Sequence, residues 1–295
     1  MMINKPIIFI GTGRSGTTFV SGAILSHEIL GFPSNYQHRF PKQLSINLVR
    51  RLYDNNFWRF YTRSKKETVF HKSIFLPAEA YNMWRYLTLP RINFSQSFLI
   101  NEKATLEERE KINTYFEKMI SLQGKERLAL KITGPSRIGY LLSIFPDAHF
   151  IYVKRRIIPT LSSFMNTDFW KTRGKHKIWF KGAYSQEDYK YIKTLTNHPA
   201  EMTAFQLGRM NSMTKKEIDI HKPNIFEVEY DDFLNRPNQN VKNILMFADL
   251  KHSEACYNYI KYNGIINNIK EDSYYYDKDI LKLLYQAYNR GLSSK

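Results

Sequence analysis

The chain has 295 residues, of which 43% are hydrophobic, so it is long enough and apolar enough to form the core of one large domain. Its 44 Lys and Arg residues exceed its 27 Asp and Glu residues and give a formal net charge of +17, which favours anionic ligands or partners. The single cysteine, Cys256, excludes an internal disulfide and a cysteine-based zinc site, and we expect it to be a small buried apolar residue.

Four apolar segments are predicted to be strands, at residues 7–10, 128–132, 149–153 and 225–229. Helical patterns separate these segments, which is typical of a parallel sheet with helices on both faces. Residues 40–120 are predicted to be a mostly helical insertion after the first βα unit. We therefore predict an α/β fold with a P-loop-like parallel sheet flanked by helices, and we treat residues 1–295 as a single domain.

The first predicted strand leads into a glycine-rich loop, which reads Gly11-Thr12-Gly13-Arg14-Ser15-Gly16-Thr17-Thr18. Apolar residues at helical spacing follow the loop, at Val20, Ala23, Ile24, Ile29 and Leu30. A strand, a glycine loop and a helix together point backbone N–H groups and the positive end of the helix dipole at a bound phosphate. An ordinary βα turn that tolerates glycines is the structural alternative.

The loop differs from a Walker A loop in the position of its cation. Thr17 stands where the Walker lysine would be, and Arg14 supplies a cation within the loop instead. No predicted strand ends in an aspartate suited to holding Mg²⁺. The loop therefore favours an anion site over a site for Mg-ATP hydrolysis.

A second basic motif follows the third predicted strand, with Arg155 and Arg156 at the strand end and Ser163 in the helix after it. A guanidinium group binds a phosphate through two parallel hydrogen bonds, and a serine hydroxyl adds a third. A solvated basic cluster at a strand end is the alternative interpretation.

Together these motifs resemble those of the sulfotransferases, which transfer a sulfuryl group from 3′-phosphoadenosine 5′-phosphosulfate (PAPS) and release 3′,5′-ADP. Residues 128–135, 145–148 and 225–233 extend the resemblance over most of the chain, and it is nearest to the broad bacterial branch. The carboxyl-terminal Arg-Lys-Gly motif of the cytosolic enzymes is missing, and Asn289-Arg290-Gly291 does not replace it.

The resemblance implies a set of cofactor-binding residues and no metal. Arg155 and Ser163 are expected to hold the 3′-phosphate, with Arg156 as the open alternative to Arg155. The 5′-phosphosulfate is expected to lie against the glycine-rich loop, on Gly13, Arg14, Ser15, Gly16, Thr17 and Thr18.

Catalysis requires a base for the acceptor hydroxyl and cations where negative charge develops. We expect Arg14 and Lys131 to supply the cations, although Lys131 also fits an ordinary surface lysine at a strand end. Relatives carry a glutamate about twenty residues after the loop or a histidine on a later element, and here the first position falls at Ser34 and Asn35. We favour Glu79 as the base over His38, although Glu79 also fits a helix cap.

The acceptor is expected to be a hydroxyl on a carbohydrate, with residues 33–85 and a basic loop at 170–181 lining its pocket. The charge also fits two other functions, a kinase-like P-loop phosphotransferase and a non-enzymatic polyanion-binding protein, although we find no dedicated nucleic-acid module. We find neither a signal peptide nor an apolar run long enough to span a membrane, so we expect a cytoplasmic protein, with peripheral membrane contact left open. The sequence leaves the oligomeric state undetermined.

Overall fold

The computed structural model describes residues 3–53, 75–263 and 277–293. Within these ranges five strands form one parallel sheet in the order β2-β3-β1-β4-β5. The strands are β1 (Ile7–Gly11), β2 (Leu30–Gly31), β3 (Arg127–Thr133), β4 (His149–Lys154) and β5 (Asn224–Glu229). The predicted parallel α/β sheet is confirmed, and β1 lies at its centre.

Helices cover both faces of the sheet. In chain order they are α1 (Thr17–Leu25), α2 (Asn35–Arg39), α3 (Ile46–Tyr53), α4 (Tyr81–Leu87), α5 (Leu106–Gln123), α6 (Ile138–Ile144), α7 (Ile157–Met165), α8 (Asp168–Arg173), α9 (Gln186–Thr194), α10 (Pro199–His221), α11 (Tyr230–Asn235), α12 (Pro237–Phe247), α13 (Glu254–Asn263) and α14 (Lys278–Ser293).

The alternation of side chains along β1 divides the core into two layers. Ile8 and Ile10 pack with α4, α5 and α6, whereas Ile7 and Phe9 pack on the other face with α1, α12 and α13. Successive residues of a strand point to opposite faces, and a central parallel strand is buried on both, so a continuous apolar run is required here. In the described part of the 40–120 insertion, α3, α4 and α5 account for about half of the residues.

The sequence pattern extended the first helix too far. Ile29 and Leu30 were predicted to continue the helix after the loop, but α1 ends at Leu25, and Leu30 begins the edge strand β2 beside Arg127. Leu30 is fully buried in the same core layer as Ile24, so its apolar character reflects burial in the sheet. Cys256 is buried in this layer as predicted, and burial raises the pKa of its thiol to about 12.

The carboxyl-terminal helix α14 packs closely against α10, and this explains the glycine of the Asn289-Arg290-Gly291 segment. A Cβ atom at Gly208 would lie 2.1 Å from the carbonyl oxygen of Tyr288, and one at Gly291 would lie 2.3 Å from that of Phe205. Gly291 therefore lets two helix backbones approach each other.

We expect Gly208→Ala to lower the free energy of unfolding by about 1–3 kcal/mol, because the added methyl group must push the two backbones apart. Urea denaturation measures this change. Lys216→Ala, at an exposed position on the same helix, is the matched control and should have little effect. Equal stability of the two variants would contradict the close packing of α10 and α14.

Candidate active site

The glycine-rich loop lies at the carboxyl edge of the sheet, between β1 and the first turn of α1. Gly16, the residue immediately before α1, has a φ of 87°, in the left-handed region. A Cβ atom there would lie 2.0 Å from the ring of Tyr230, so only glycine fits this position. The loop thus passes close under Tyr230 and opens the first turn of α1 toward the cleft.

Hydroxyl groups fill the inside of this loop. Ser15 and Thr17 are both buried, and their hydroxyl oxygens are 2.9 Å apart in a hydrogen bond. Thr18 is exposed in the first turn of α1, which carries no acidic residue. The positive end of the helix dipole is therefore not neutralised by a carboxylate in its own first turn.

The two predicted phosphate motifs, far apart in sequence, meet at Arg14. Its Nε donates a hydrogen bond to the Ser163 hydroxyl at 2.9 Å, across 149 residues of sequence. Arg155 Nη1 donates to the Arg14 carbonyl oxygen at 3.2 Å. Arg14 itself has a φ of 56°, which costs a non-glycine residue about 1–2 kcal/mol. Backbone strain of this kind is typical of functional sites.

The structure distinguishes the two arginines at the end of β4. Arg155 is half-buried beside the Tyr230 ring, with its guanidinium 5.2 Å from the ring centroid, and burial lowers its pKa from the ordinary value. Among the described residues, its buried Nε has no hydrogen-bond partner. Arg156 is exposed, and its Nε donates to Asp231 at 2.7 Å. Arg155 therefore faces the cleft with an unused donor, whereas Arg156 is held by a carboxylate.

A cleft of about 590 Å³ opens above the loop. The loop residues other than Gly11 and Ser15 line it, together with Arg155, Ser163 and Tyr230. An acid, hydroxyl groups, a cation and aromatic rings also line it, on Glu79, Tyr81, Ser95, Thr133, Arg173, Trp179 and Phe180. The cleft thus combines cationic residues with a carboxylate.

Glu79 lines the cleft and is not the residue that caps α4. The residue before α4 is Ala80, and no side chain caps that helix. Instead the Thr133 hydroxyl donates a hydrogen bond to the Glu79 carboxylate. Burial and the nearby Glu79 charge raise the pKa of Tyr81 well above its ordinary value, so Tyr81 is a neutral hydrogen-bond donor at physiological pH.

The other candidate base, His38, lies on α2 at an exposed position. Its Nδ1 accepts a long hydrogen bond of 3.5 Å from the Asn82 backbone N–H. Within the described part of the chain, His38 is not among the residues that line the cleft. Of the two predicted bases, the structure therefore brings only Glu79 next to the loop.

Lys131 reaches the site from β3, on the α1 side of the sheet. Its Nζ lies 3.5 Å from the Thr18 hydroxyl. Lys131 lines a smaller pocket of about 280 Å³, and Thr18 lines both this pocket and the main cleft. The ammonium group therefore lies beside the first turn of α1, next to Thr18 in the smaller pocket.

The model of the sulfotransferase family matches the chain over residues 6–254. The chain belongs to the sulfotransferase family. Sulfotransferase STF9 from Mycobacterium avium superposes with a TM-score of 0.57 and 16% identity, covering 99% of this chain and 77% of that one. STF1 from Mycobacterium tuberculosis gives a TM-score of 0.50 and 15% identity, covering 98% and 76%.

A sulfotransferase domain from the curacin biosynthetic pathway gives a TM-score of 0.53 and 11% identity, covering 97% of this chain and 98% of the domain. At such identities these likenesses show a shared fold. Comparison with curated proteins by sequence gives no significant match. Membership of the sulfotransferase family makes the chain an enzyme of the PAPS-dependent type.

The segment 170–181 of this sulfotransferase contributes different residues from those expected. Arg173, Trp179 and Phe180 line the cleft, whereas Lys175 and Lys177 are not among the described residues that do. The Gln206 side chain binds the segment to α10, donating to the Gly174 carbonyl oxygen at 2.9 Å and accepting from the Trp179 N–H at 2.8 Å. These contacts hold the segment against α10. The sequence instead predicts a basic loop over the site, whereas residues 170–173 belong to α8.

Tyr230 and Thr133 have no role that the sequence predicts, although both belong to segments that carry the resemblance. Only the structure shows that Tyr230 covers Gly16 and that Thr133 touches Glu79. From the expected 33–85 region, Glu79 and Tyr81 line the cleft. The aromatic and basic residues Trp58, Arg59, Tyr61 and Arg63 of the predicted insertion lie outside the described residues.

The described ranges hold no group of three or more His, Cys, Asp and Glu side chains arranged to bind a metal ion. They also hold no helix with the length and apolar character needed to cross a membrane. Cytoplasmic location stays a prediction from the sequence.

Proposed function

We propose that this sulfotransferase transfers a sulfuryl group from PAPS to a hydroxyl group on a carbohydrate acceptor. The observation that carries the donor assignment is the meeting of Arg14, Ser163 and Arg155 at the amino-terminal end of α1. A ligand with two separate anionic groups could bind here. Its partners would be two cationic groups, a serine hydroxyl and the backbone N–H groups at the start of a helix.

The residues present fit PAPS. The loop from Gly13 to Thr18 would hold the 5′-phosphosulfate, because all its residues except Ser15 line the cleft and Thr18 is exposed. Arg155 and Ser163 would hold the 3′-phosphate, and the buried Nε of Arg155 still lacks an acceptor among the described residues. A buried donor without a partner is costly, so a bound phosphate oxygen there would relieve that cost.

When bound, PAPS supplies a sulfuryl group whose leaving group is a phosphate oxygen. Glu79 would take the proton of the acceptor hydroxyl as that oxygen bonds to sulfur. Arg14 and the first turn of α1 would stabilise the negative charge that develops on the leaving oxygen. Lys131, beside Thr18, would add a second positive charge on the same side.

The aromatic and cationic residues Trp179 and Arg173 in the cleft favour a carbohydrate acceptor. Trp179 is half-buried and its indole N–H donates to the Ser95 carbonyl oxygen at 3.2 Å, so the ring is fixed in the cleft. Arg173 lies over this ring, 4.9 Å from its centroid, and also lines the cleft. A fixed aromatic face next to a multiple hydrogen-bond donor suits a sugar, which has an apolar ring face and several hydroxyl oxygens.

We expect Arg155→Ala to weaken binding of 3′,5′-ADP about 10- to 100-fold, since a charge-assisted hydrogen bond to phosphate is lost. Arg156→Ala is the matched control and should bind normally, because Arg156 is held by Asp231. Ligand-induced thermal stabilisation of each variant measures the difference. Equal losses in both variants would contradict the assignment of Arg155.

We expect Trp179→Ala to raise the acceptor KM about tenfold and Trp179→Phe to raise it less, because phenylalanine keeps an aromatic face. The assay transfers radiolabelled sulfate from PAPS to a panel of neutral and uronate-containing oligosaccharides. Binding of 3′,5′-ADP should not change. Transfer to simple aryl alcohols but to no oligosaccharide would contradict a carbohydrate acceptor.

We expect Glu79→Gln to lower kcat by a factor of about 10²–10⁴, the range for loss of a general base, with the best acceptor of that panel. His38→Gln should retain near-normal kcat, because the His38 ring lies outside the described lining of the cleft. Initial rates at saturating PAPS and acceptor make the comparison. A near-normal kcat in Glu79→Gln beside a large loss in His38→Gln would indicate that His38 is the base.

A further inference from the structure

The carboxylate of Glu79 depends on a residue that none of the proposed chemistry uses. Thr133 is the last residue of β3, and its hydroxyl donates a hydrogen bond to Glu79 Oε1. This bond links residues 54 positions apart in sequence, in two different structural elements. It therefore restricts the carboxylate relative to the sheet.

The backbone of Thr133 is itself held on two sides. In the parallel register of the sheet, Thr133 lies opposite Gly11, the residue with which the glycine-rich loop begins. The next N–H, of Gly134, donates to the Gly11 carbonyl oxygen at 2.8 Å. On the other side, the Tyr81 hydroxyl donates to the Thr133 carbonyl oxygen at 3.4 Å. Thr133 thus connects the segment that bears Glu79 to the strand that bears the loop.

A buried cation, Arg137, interacts with Tyr81 and Glu79. Arg137 is fully buried, and its guanidinium donates to the carbonyl oxygens of Ser97 at 2.9 Å and Pro135 at 2.6 Å. Burial lowers the pKa of Arg137 to about 10, so it stays charged at neutral pH, and its charge interacts with Tyr81, Glu217 and Glu79. Arg137 therefore places a buried positive charge near the Glu79 carboxylate, which accepts the hydrogen bond from Thr133.

We propose that Thr133 is a positioning residue for the base: its hydroxyl fixes one carboxylate oxygen of Glu79. The proposal rests on the proposed function of Glu79. Its physical reason is that a base with one oxygen fixed has fewer orientations to sample before it meets the acceptor proton. Because Thr133 is paired with Gly11, the position of the base follows the position of the loop.

The test compares Thr133→Val, which keeps the shape and removes the hydroxyl, with Thr133→Ser, which restores a hydroxyl. We expect Thr133→Val to lower kcat about 10- to 100-fold, the effect of losing a hydrogen bond to a charged group. The acceptor KM and the affinity for 3′,5′-ADP should change less than about threefold, and Thr133→Ser should recover most of kcat. Thr214→Val, which removes a buried hydroxyl within α10, is the matched control and should keep normal kcat.

NMR of the free enzyme detects the hydrogen bond between Thr133 and Glu79 without an activity assay. In protein labelled with ¹³C-glutamate, the Glu79 carboxyl resonance is the one missing from Glu79→Gln. We expect this resonance to move in Thr133→Val and to return toward its normal position in Thr133→Ser. A resonance that does not move in Thr133→Val would overturn the bond itself.

A double variant separates this inference from the function on which it rests. With Gln already at position 79, adding Thr133→Val should lower kcat no further, because the two residues act as one unit. A normal kcat in Thr133→Val beside a severe loss in Glu79→Gln would overturn positioning by Thr133 and leave Glu79 as the base. A normal kcat in Glu79→Gln would overturn the base, while the resonance would still report whether Thr133 holds it.

Discussion

The parallel register of β1 between β3 and β4 is the constraint on which the site depends. All three strands end at the same edge, so the loop after β1, Thr133 at the end of β3 and Arg155 after β4 meet there. Ligands bind at this edge in open α/β sheets because strand ends and helix starts converge on it. The pairing of Gly11 with Thr133 sets the distance between the glycine-rich loop and the hydrogen bond from Thr133 to Glu79.

Positive charge at this edge is concentrated by the fold. Arg14 has a left-handed backbone, and Arg155 is half-buried with a donor that no described residue accepts. Both arrangements cost free energy in the free protein, and an anion bound between them would recover part of it. The net charge of +17 adds a long-range attraction for anionic ligands, but the specific geometry comes from these two arginines and Ser163.

Much of the fold could be predicted from the sequence because its strands are short, continuous apolar runs. Such runs are required where a parallel sheet is buried on both faces, and the four predicted strands match β1, β3, β4 and β5 closely. The two-residue strand β2 was missed, because Leu30 also fits the helical spacing that follows the loop. Periodicity does not distinguish a short edge strand from the next turn of a helix.

The candidate site also has a part that the sequence predicts and a part that only the structure shows. Local motifs indicated the loop, Arg155 and Ser163, because glycines and cations at fixed spacing in one segment are visible in sequence. Contacts between distant segments were not visible: the Tyr230 ring over Gly16, the Thr133 hydroxyl on Glu79 and the anchoring of Trp179 by Gln206 and Ser95. The proposed choice of Arg155 over Arg156 also needs the structure, since it depends on where Asp231 lies.

The central claim is that the loop and the end of β4 together form a site for PAPS. Calorimetric titration of the unmodified enzyme with 3′,5′-ADP, and separately with ATP and Mg²⁺, tests it most directly. We predict one molecule of 3′,5′-ADP bound per chain, and much weaker binding of Mg-ATP that does not depend on the metal. Tighter, Mg²⁺-dependent binding of ATP, or no binding of 3′,5′-ADP, would contradict the claim.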